Sequence, residues 1–413
     1  MSAPRRLDFD ALVVGAGMVG AASAALLASE PELSGWRIGL LDPAPRLQPS
    51  DDRIDLRVSA LSRGSERLLR SCGAWSALEA QASPYADMLV WDASGRADGP
   101  EALRFSAAEL AEPNLGHIVE NLRVQAALLD ALDSGGRVTR LSSELATLDL
   151  GEHAVRVSCA DGRRLECGLL VGADGAASRV RELLGIGRSG AAYPQQAVVA
   201  HLRSERPHRA TAYQRFLPGG PLALLPLRDG RVSLVWTVPA AEAAELVACE
   251  PVEFGLQVSA ASDRVLGALE LDSPRGAFPL SVWSAREYCR ERCVLVGDAA
   301  HTVHPLAGQG VNLGLLDAAT LAQVLGDAVE AGDEASERRV LRRYERWRRS
   351  ENALMQALTD GINQLFGVPG LTPAAMRRTG LALVAGGAPL RRRLAEHALG
   401  TVGDLPRRVL SAV

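Results

Sequence analysis

The sequence predicts an α/β chain whose parallel, nucleotide-binding sheet is assembled from segments far apart in sequence, and three observations lead there. Asp10 to Val14 is a short apolar strand that runs into Gly15-Ala16-Gly17-Met18-Val19-Gly20 and an alanine-rich helix to about Ser29; a second strand, Trp36 to Leu41, ends at Asp42. Much later a strand from Cys293 to Val296 ends in Gly297-Asp298, and a glycine-rich stretch, Pro305 to Gly314, opens another helix. Between these two regions, strand-like segments occupy roughly 195–240, whereas the pattern from 308 onward is helical.

The N-terminal element is a G-x-G-x-x-G fingerprint in its strand–turn–helix–strand context, with an acid 22 residues after the last glycine. Gly15 makes the turn, Gly17 lets the backbone approach a pyrophosphate, and Gly20 permits close helix–strand packing. Asp42 is placed to take the ribose hydroxyls of an adenosine. A bare glycine triplet also fits a tight βα turn in an ordinary α/β core, and Asp42 is what argues for a dinucleotide. Choosing between FAD and NAD requires the second element. A carboxylate at a strand end, Asp298, can accept two hydrogen bonds from a polyol. A helix N-terminus behind glycines offers free N–H groups and a dipole to delocalised negative charge. A ribityl chain beside the pyrimidine edge of a reduced flavin needs those two features together, so the cofactor expected is FAD.

The rest of the chain interleaves with these elements. Asp55-Leu56-Arg57-Val58-Ser59-Ala60-Leu61-Ser62 reads as opening a helix that reaches about Cys72, and residues 85–110 read as a strand excursion. Gly116 to Asn121 precedes an amphipathic helix from Val124 to Leu132. Strands follow at about 137–148, 153–159 and 164–171, the last ending in Gly172-Ala173-Asp174-Gly175. A helical patch covers 240–270, and a strand near 275–283 leads back to the Cys293 strand. The helix around Glu337 to Arg349 carries many arginines, a pattern typical of a solvated, salt-bridged face.

Composition narrows the chemistry. All 45 basic residues are arginine and the chain has no lysine, which excludes Schiff-base catalysis and a P-loop with its phosphate lysine. The six cysteines are scattered without a C-x-x-C, so they read as reduced thiols and no metal site is expected. A net charge of −4 gives no reason to propose nucleic acid as a partner. No apolar run reaches the length of a membrane span and the first residues lead straight into a strand, so the expected address is the cytoplasm.

The early G-x-G-x-x-G with Asp42, the central Gly172-Ala173-Asp174-Gly175 and the late Gly297-Asp298 with its P-x-x-G-Q-G run resemble the three fingerprints of the class A flavin-dependent aromatic hydroxylases, the para-hydroxybenzoate hydroxylase group. Within it, Asp55 to Ser62, Gly116 to Asn121 and Gly297 to Gly314 resemble signatures of the ubiquinone-biosynthesis hydroxylases, as do Asn352 to Phe366 and Arg377 to Leu381 in the tail. The resemblance implies a Rossmann-type FAD-binding domain (residues 1–84, 116–190 and 281–335) interleaved with a smaller β-sheet substrate domain (85–115 and 191–280), followed by C-terminal helices (336–413).

It also implies roles for particular residues. Gly15, Gly17, Gly20 and Asp42 bind the ADP half of FAD, Arg57 lies near the flavin and its diphosphate, and Asp174 belongs to a motif serving both FAD and NAD(P)H. Gly297 and Asp298 hold the ribityl chain, Gly310, Val311 and Asn312 offer backbone N–H groups to the flavin ring, and the Pro305 carbonyl faces the substrate ring. The implied reaction is hydroxylation of a prenylated phenol through a flavin C4a-hydroperoxide, with NAD(P)H or another donor as reductant. A related enzyme acting on a soluble aromatic, or a noncatalytic scaffold in the pathway assembly, remains an alternative. His301 reads as a structural residue of the turn and His304 as a neighbour of substrate. Trp236 and Trp283 read as core residues with an aromatic pocket as the alternative. A substrate this greasy resides in a bilayer, so peripheral attachment at the inner membrane surface, or a lipid-presenting or other ubiquinone-pathway protein as partner, is expected. The basic, apolar stretches Pro389 to Ala395 and Leu405 to Leu410 are candidates for that contact, and an ordinary arginine-rich surface helix is the alternative.

Overall fold

The computed structural model describes residues 7–45, 47–100, 102–303, 310–367, 396, 399–400 and 402–410. Pro305, His304 and the Pro389 to Ala395 stretch lie outside them.

A parallel sheet forms the centre. Its strands run in the order Cys293–Leu295, Arg164–Gly172, Phe9–Val14, Ile38–Leu41 and Val138–Leu141. Phe9–Val14, Ile38–Leu41, Cys293–Leu295 and the second half of Arg164–Gly172 are apolar and almost wholly buried, as central parallel strands covered by helices must be, whereas the edge strand Val138–Leu141 is polar and partly exposed. Register fixes the function of the sheet. Val14 pairs with Gly172 on one side and Leu41 on the other, and Gly172 pairs with Leu295. The residues that follow each strand therefore emerge along one rim, the carboxyl ends of the strands, where open α/β sheets bind ligands. Three motifs separated by most of the chain meet there.

The helix Met18–Ser29 buries nearly every residue because glycine, alanine and leucine keep its surface small. It packs against the helix Gly310–Glu330. The crossing is close: a Cβ on Gly314 would lie 2.5 Å from a Val19 methyl and 3.4 Å from the Gly297 Cα.

The second body is a large, mostly antiparallel sheet. His301–Thr302, Gly276–Ala285, Arg188–Ser204, Val232–Pro239, Gly220–Pro226, Thr211–Leu217, Asp87–Asp92 and Leu103–Ser106 follow one another across it. Strand alternation gives it two different faces. Val198, Ala200, Leu202, Trp236 and Val238 pack with Phe254 and Leu246 under the helices Ala240–Ala248 and Pro251–Ala261. Ala197, Val199, Ala223 and Val235 face the rim of the parallel sheet. Trp236 is thus a core residue. Trp283 is also buried, with the guanidinium carbons of Arg181 and Arg188 4.4 and 5.4 Å from its ring centre.

Two elements differ from the sequence reading. The run expected as one strand at about 137–148 is two, Val138–Leu141 beside Ile38–Leu41 and Leu145–Leu150 beside Val155–Cys159. The Asp55 to Ser62 segment does not begin a helix at its start: Val58–Ser62 is a strand, paired antiparallel with Gly116–Glu120. Its helix, Arg63–Ser71, begins only after Ser62, whose hydroxyl caps the Ser65 N–H. In the tail, Arg407 pairs with Asp327 and Arg408 with Glu30, so these two arginines are held against the body of the protein. Among the described residues no helix is long and apolar enough to cross a membrane.

Candidate active site

Gly15 takes φ +101°, and a Cβ there would sit 2.5 Å from the Ala173 carbonyl oxygen, so the first turn touches the end of the strand Arg164–Gly172. A Cβ on Gly20 would collide with the Gly15 carbonyl. Gly17 is different: a Cβ there meets nothing within 4 Å, because the residue borders open space at the helix N-terminus. Asp42, at the end of its strand, accepts the Ala16 N–H at 2.5 Å and the Ala44 N–H at 2.7 Å, which aims its carboxylate along the rim. Gln125 donates to the Ala16 carbonyl at 2.8 Å and clamps the glycine loop from the helix Asn121–Gly135.

Asp174 accepts the Val180 N–H at 3.0 Å through one oxygen, and its other oxygen is buried without a protein partner. Asp298 follows Gly297, whose φ of +59° turns the chain so that the carboxyl opens onto the cavity. The side chain is exposed to the cavity, and the surrounding protein still removes enough water for desolvation to raise its pKa; His301 and Arg57 oppose the shift and Asp317 adds to it. Arg57, also at the cavity, lies with its guanidinium carbon 5.9 Å from the Phe278 ring centre.

Beneath this turn is a residue the sequence reading missed. Asp317, 0% exposed, accepts hydrogen bonds from the Gly297 N–H (2.9 Å), His301 Nε2 (2.6 Å), Arg348 Nε (2.7 Å) and Asn352 Nδ2 (3.3 Å). Although burial alone would raise it, the flanking His301 and Arg348 hold its pKa down to about 2. His301 is occupied by this contact and stacks against Tyr288, with ring centres 5.9 Å apart. The available signal was a lone carboxylate inside the apolar run Leu313 to Ala319 of a helix.

The helix above it starts at Gly310, where a Cβ again meets nothing within 4 Å. The Asn312 side chain turns away from the cavity: its Oδ1 accepts from the Ser62 N–H at 3.0 Å and the Ser65 hydroxyl at 2.7 Å, and its Nδ2 donates to the Ala60 carbonyl at 2.9 Å. That anchors the helix N-terminus to the strand Val58–Ser62 at the edge of the cavity, which Gly310 and Val311 line.

These residues surround a cavity of about 420 Å³. One wall carries Gly17, Ala173, Gly175, Asp298, Gly310 and Val311. The opposite wall is apolar and comes from the large sheet, with Ala197, Val199, Ala223, Leu225, Val235 and Phe278. Of the residues singled out in the sequence, Gly17, Arg57, Asp298, Gly310 and Val311 line this cavity directly. Gly15, Gly20, Gly297 and Asn312 shape the backbone around it, while Asp42 and Asp174 stand along the same rim. Open glycine floors, an unpartnered buried carboxylate oxygen and a carboxylate opening onto the cavity suit a long, polar, phosphate- and hydroxyl-bearing cofactor such as FAD.

A nucleotide rim at the carboxyl ends of a parallel sheet, roofed by a separate β-sheet, defines the class as a flavin-binding oxidoreductase fold. The family described as FAD binding domain matches residues 8–358. This chain belongs to that family and is an FAD-dependent monooxygenase. It is 36% identical to the ubiquinone hydroxylase UbiL of Rhodospirillum rubrum, over 98% of this chain and 93% of that protein. It is 35% identical to the 3-demethoxyubiquinol 3-hydroxylase of Escherichia coli, over 94% of this chain and 97% of that protein. Against the mitochondrial ubiquinone biosynthesis monooxygenase COQ6 of Homo sapiens the figures are 34%, 94% and 91%. Among solved structures, the p-nitrophenol 4-monooxygenase PnpA of Pseudomonas putida has a TM-score of 0.74 at 20% identity, covering 94% of this chain and 98% of that one, a likeness of fold.

Proposed function

We propose that this protein hydroxylates the aromatic ring of a polyprenylated phenol in ubiquinone biosynthesis, using O2 and NAD(P)H or another electron donor. The observation that carries the reading is the two-sided cavity: a polar, glycine-floored wall suited to a flavin faces an apolar sheet wall suited to a greasy ring. Relatives named for ubiquinone chemistry, matched over nearly their whole length, support the substrate class.

In this reading Gly15, Gly17, Gly20 and Asp42 hold the ADP half of FAD, and Arg57 and Asp174 lie along its diphosphate and the nicotinamide approach. Gly297 and Asp298 would receive the ribityl chain and Gly310, Val311 and Asn312 would present N–H groups to the ring, while Pro305, outside the described residues, is the candidate for substrate contact. Residues 85–115 and 191–280 serve as the substrate-binding unit. The bound flavin supplies the activation of oxygen. The chain's own contribution is placement and environment. Ala197, Val199, Ala223, Leu225 and Val235 strip water from the substrate ring and fix its distance from the cofactor wall. The helix N-terminus at Gly310 favours negative charge on the cofactor's pyrimidine edge. His301 is committed to Asp317, so no acid–base role is assigned to it. A substrate of this kind reaches the site from a membrane surface or from a lipid-presenting partner among other ubiquinone-pathway proteins.

The test is an assay of FAD-reconstituted protein that follows NAD(P)H oxidation with and without short-chain prenylphenols, with product mass read alongside. The reading expects a gain of one oxygen coupled to substrate-stimulated NAD(P)H loss. Flavin binding with turnover only of soluble, unprenylated phenols would overturn the substrate assignment.

A further inference from the structure

The Arg57 segment touches both bodies of the molecule, and its tethers are unequal. On the parallel-sheet side two bonds hold it: the Asp55 N–H donates to Glu120 Oε1 at 2.7 Å, and the Arg57 carbonyl accepts the Asn121 N–H at 3.0 Å. On the large-sheet side it meets His201. That residue continues the cavity-facing row of its strand, two positions beyond Val199 and four beyond Ala197, and it is 0% exposed. Its Nε2 lies 3.0 Å from the Asp55 carbonyl oxygen, 146 residues away in sequence. A carbonyl only accepts, so the proton of the neutral ring is on Nε2. The other nitrogen, Nδ1, is buried with no protein partner. Burial pushes the His201 pKa down, which keeps the ring neutral and the donor in place.

A buried histidine with one nitrogen unsatisfied is a costly way to fill a sheet face whose cavity-lining residues are Ala197, Val199, Ala223, Leu225 and Val235, and the buried Ser233 paired directly across from it leaves its own hydroxyl unpartnered as well. The bond it makes is to the backbone one residue before Leu56 and Arg57, both of which line the cavity. We propose that His201 is a positioning residue, a latch that holds the Asp55–Arg57 segment against the substrate sheet and so sets the seam between Arg57 and Phe278 where the phenol is held. The latch rests on the reading of this cavity as the phenol site.

Three holoenzyme variants separate the hydrogen bond from packing. His201→Gln places an amide N–H near the position of Nε2, His201→Asn places it near Nδ1, and His201→Leu removes it. Hydrogen–deuterium exchange of the Asp55 to Val58 amides should be native-like in His201→Gln and about fivefold faster or more in the other two, the factor expected for one net hydrogen bond. KM for a short-chain prenylphenol should rise by a similar factor in His201→Asn and His201→Leu, with the fraction of NAD(P)H yielding hydroxylated product falling and His201→Gln again close to the parent. If the Gln and Asn variants exchange alike, the latch is overturned, whatever the substrate proves to be. If exchange separates them but KM and coupling do not, the latch holds the segment without setting the phenol site, and the proposal fails in that form. A parent enzyme that hydroxylates no phenol sinks the functional reading alone, and the exchange contrast still decides the tether.

Discussion

The two walls of the cavity are built on different principles. The wall proposed to hold the cofactor is made largely of backbone: turns at Gly15 and Gly297 with positive φ, Gly17 and Gly310 bordering open space, and helix N-termini. The substrate wall is made of side chains on one face of a sheet, small and apolar, whose only constraints are size and alternation. A backbone surface tolerates almost no substitution, because any Cβ strains the turn or fills the site. A side-chain surface can be repainted without disturbing the strand. The first kind of wall conserves a cofactor and the second adjusts a substrate.

The sharpest break in that comparison comes from below the cofactor wall. Asp317→Ala leaves Arg348 and His301 buried without their carboxylate and frees the Gly297 N–H. Losing one partner of such a buried network costs about 3–5 kcal/mol, so denaturant unfolding should show a severely destabilised chain that retains FAD poorly. Asp317→Ala should also change the acid limb of stability. Its folded pKa, about 2, lies below its ordinary value of 3.8, so its contribution is fully present above pH 3.8 and lost as pH falls toward 2. The parent should lose this increment across that window and the variant should not, which unfolding midpoints measured at stepped pH will resolve.

Asp298, one residue beyond the same turn, is expected to do the opposite. Its folded pKa is raised by desolvation, so its ionised form burdens the empty protein at neutral pH, and the burden is relieved as pH falls through the raised value. The side chain is more than a third exposed, so solvent screens much of that burden, and Asp298→Asn should leave the melting temperature of the FAD-free protein at pH 7 unchanged or slightly raised, while weakening FAD binding by roughly 10- to 100-fold. Calorimetry of the apoprotein and a flavin-fluorescence titration read the two effects separately. A variant that loses stability and keeps FAD would show that Asp298 supports the turn rather than serving the cofactor.

The contrast between walls also explains what the sequence could disclose. The tight turns at Gly15 and Gly297 and the close packing at Gly20 were legible because each answers a steric demand that few residues meet, and spacing preserved those demands along the chain. Asp317 was not legible as a partner because its donors lie 16, 20, 31 and 35 residues away, and only folding brings them together. The strand Val58–Ser62 was read as the start of a helix because its apolar residues are few and a true helix follows at once; its pairing with Gly116–Glu120 is a long-range fact that overrides local preference. Ala197, Val199, Ala223 and Val235 could not be assigned at all. Alternation says that they face one way, and nothing local says whether that way is a core or a cavity.

The mildest perturbation is therefore the most discriminating for the substrate wall. Ala223 stands in the row Val199–Val235–Ala223 across three strands, and all three side chains line the cavity. Ala223→Leu adds about three methylene-sized groups to that wall without touching a backbone hydrogen bond or any residue of the cofactor rim. If the walls divide their labour as argued, FAD affinity should stay within about twofold of the parent, because the glycine floors and Asp298 are unchanged. KM for a short-chain prenylphenol should rise roughly 10-fold, the scale on which a hydrophobic pocket senses one or two methylenes, and NAD(P)H oxidation should become less coupled to product as the ring is displaced from its cofactor. Measuring both constants on one preparation places the outcome on a single axis. A loss of FAD equal to the loss of substrate would mean that the two walls move as one body and that the sheet face supports the cofactor as much as the phenol.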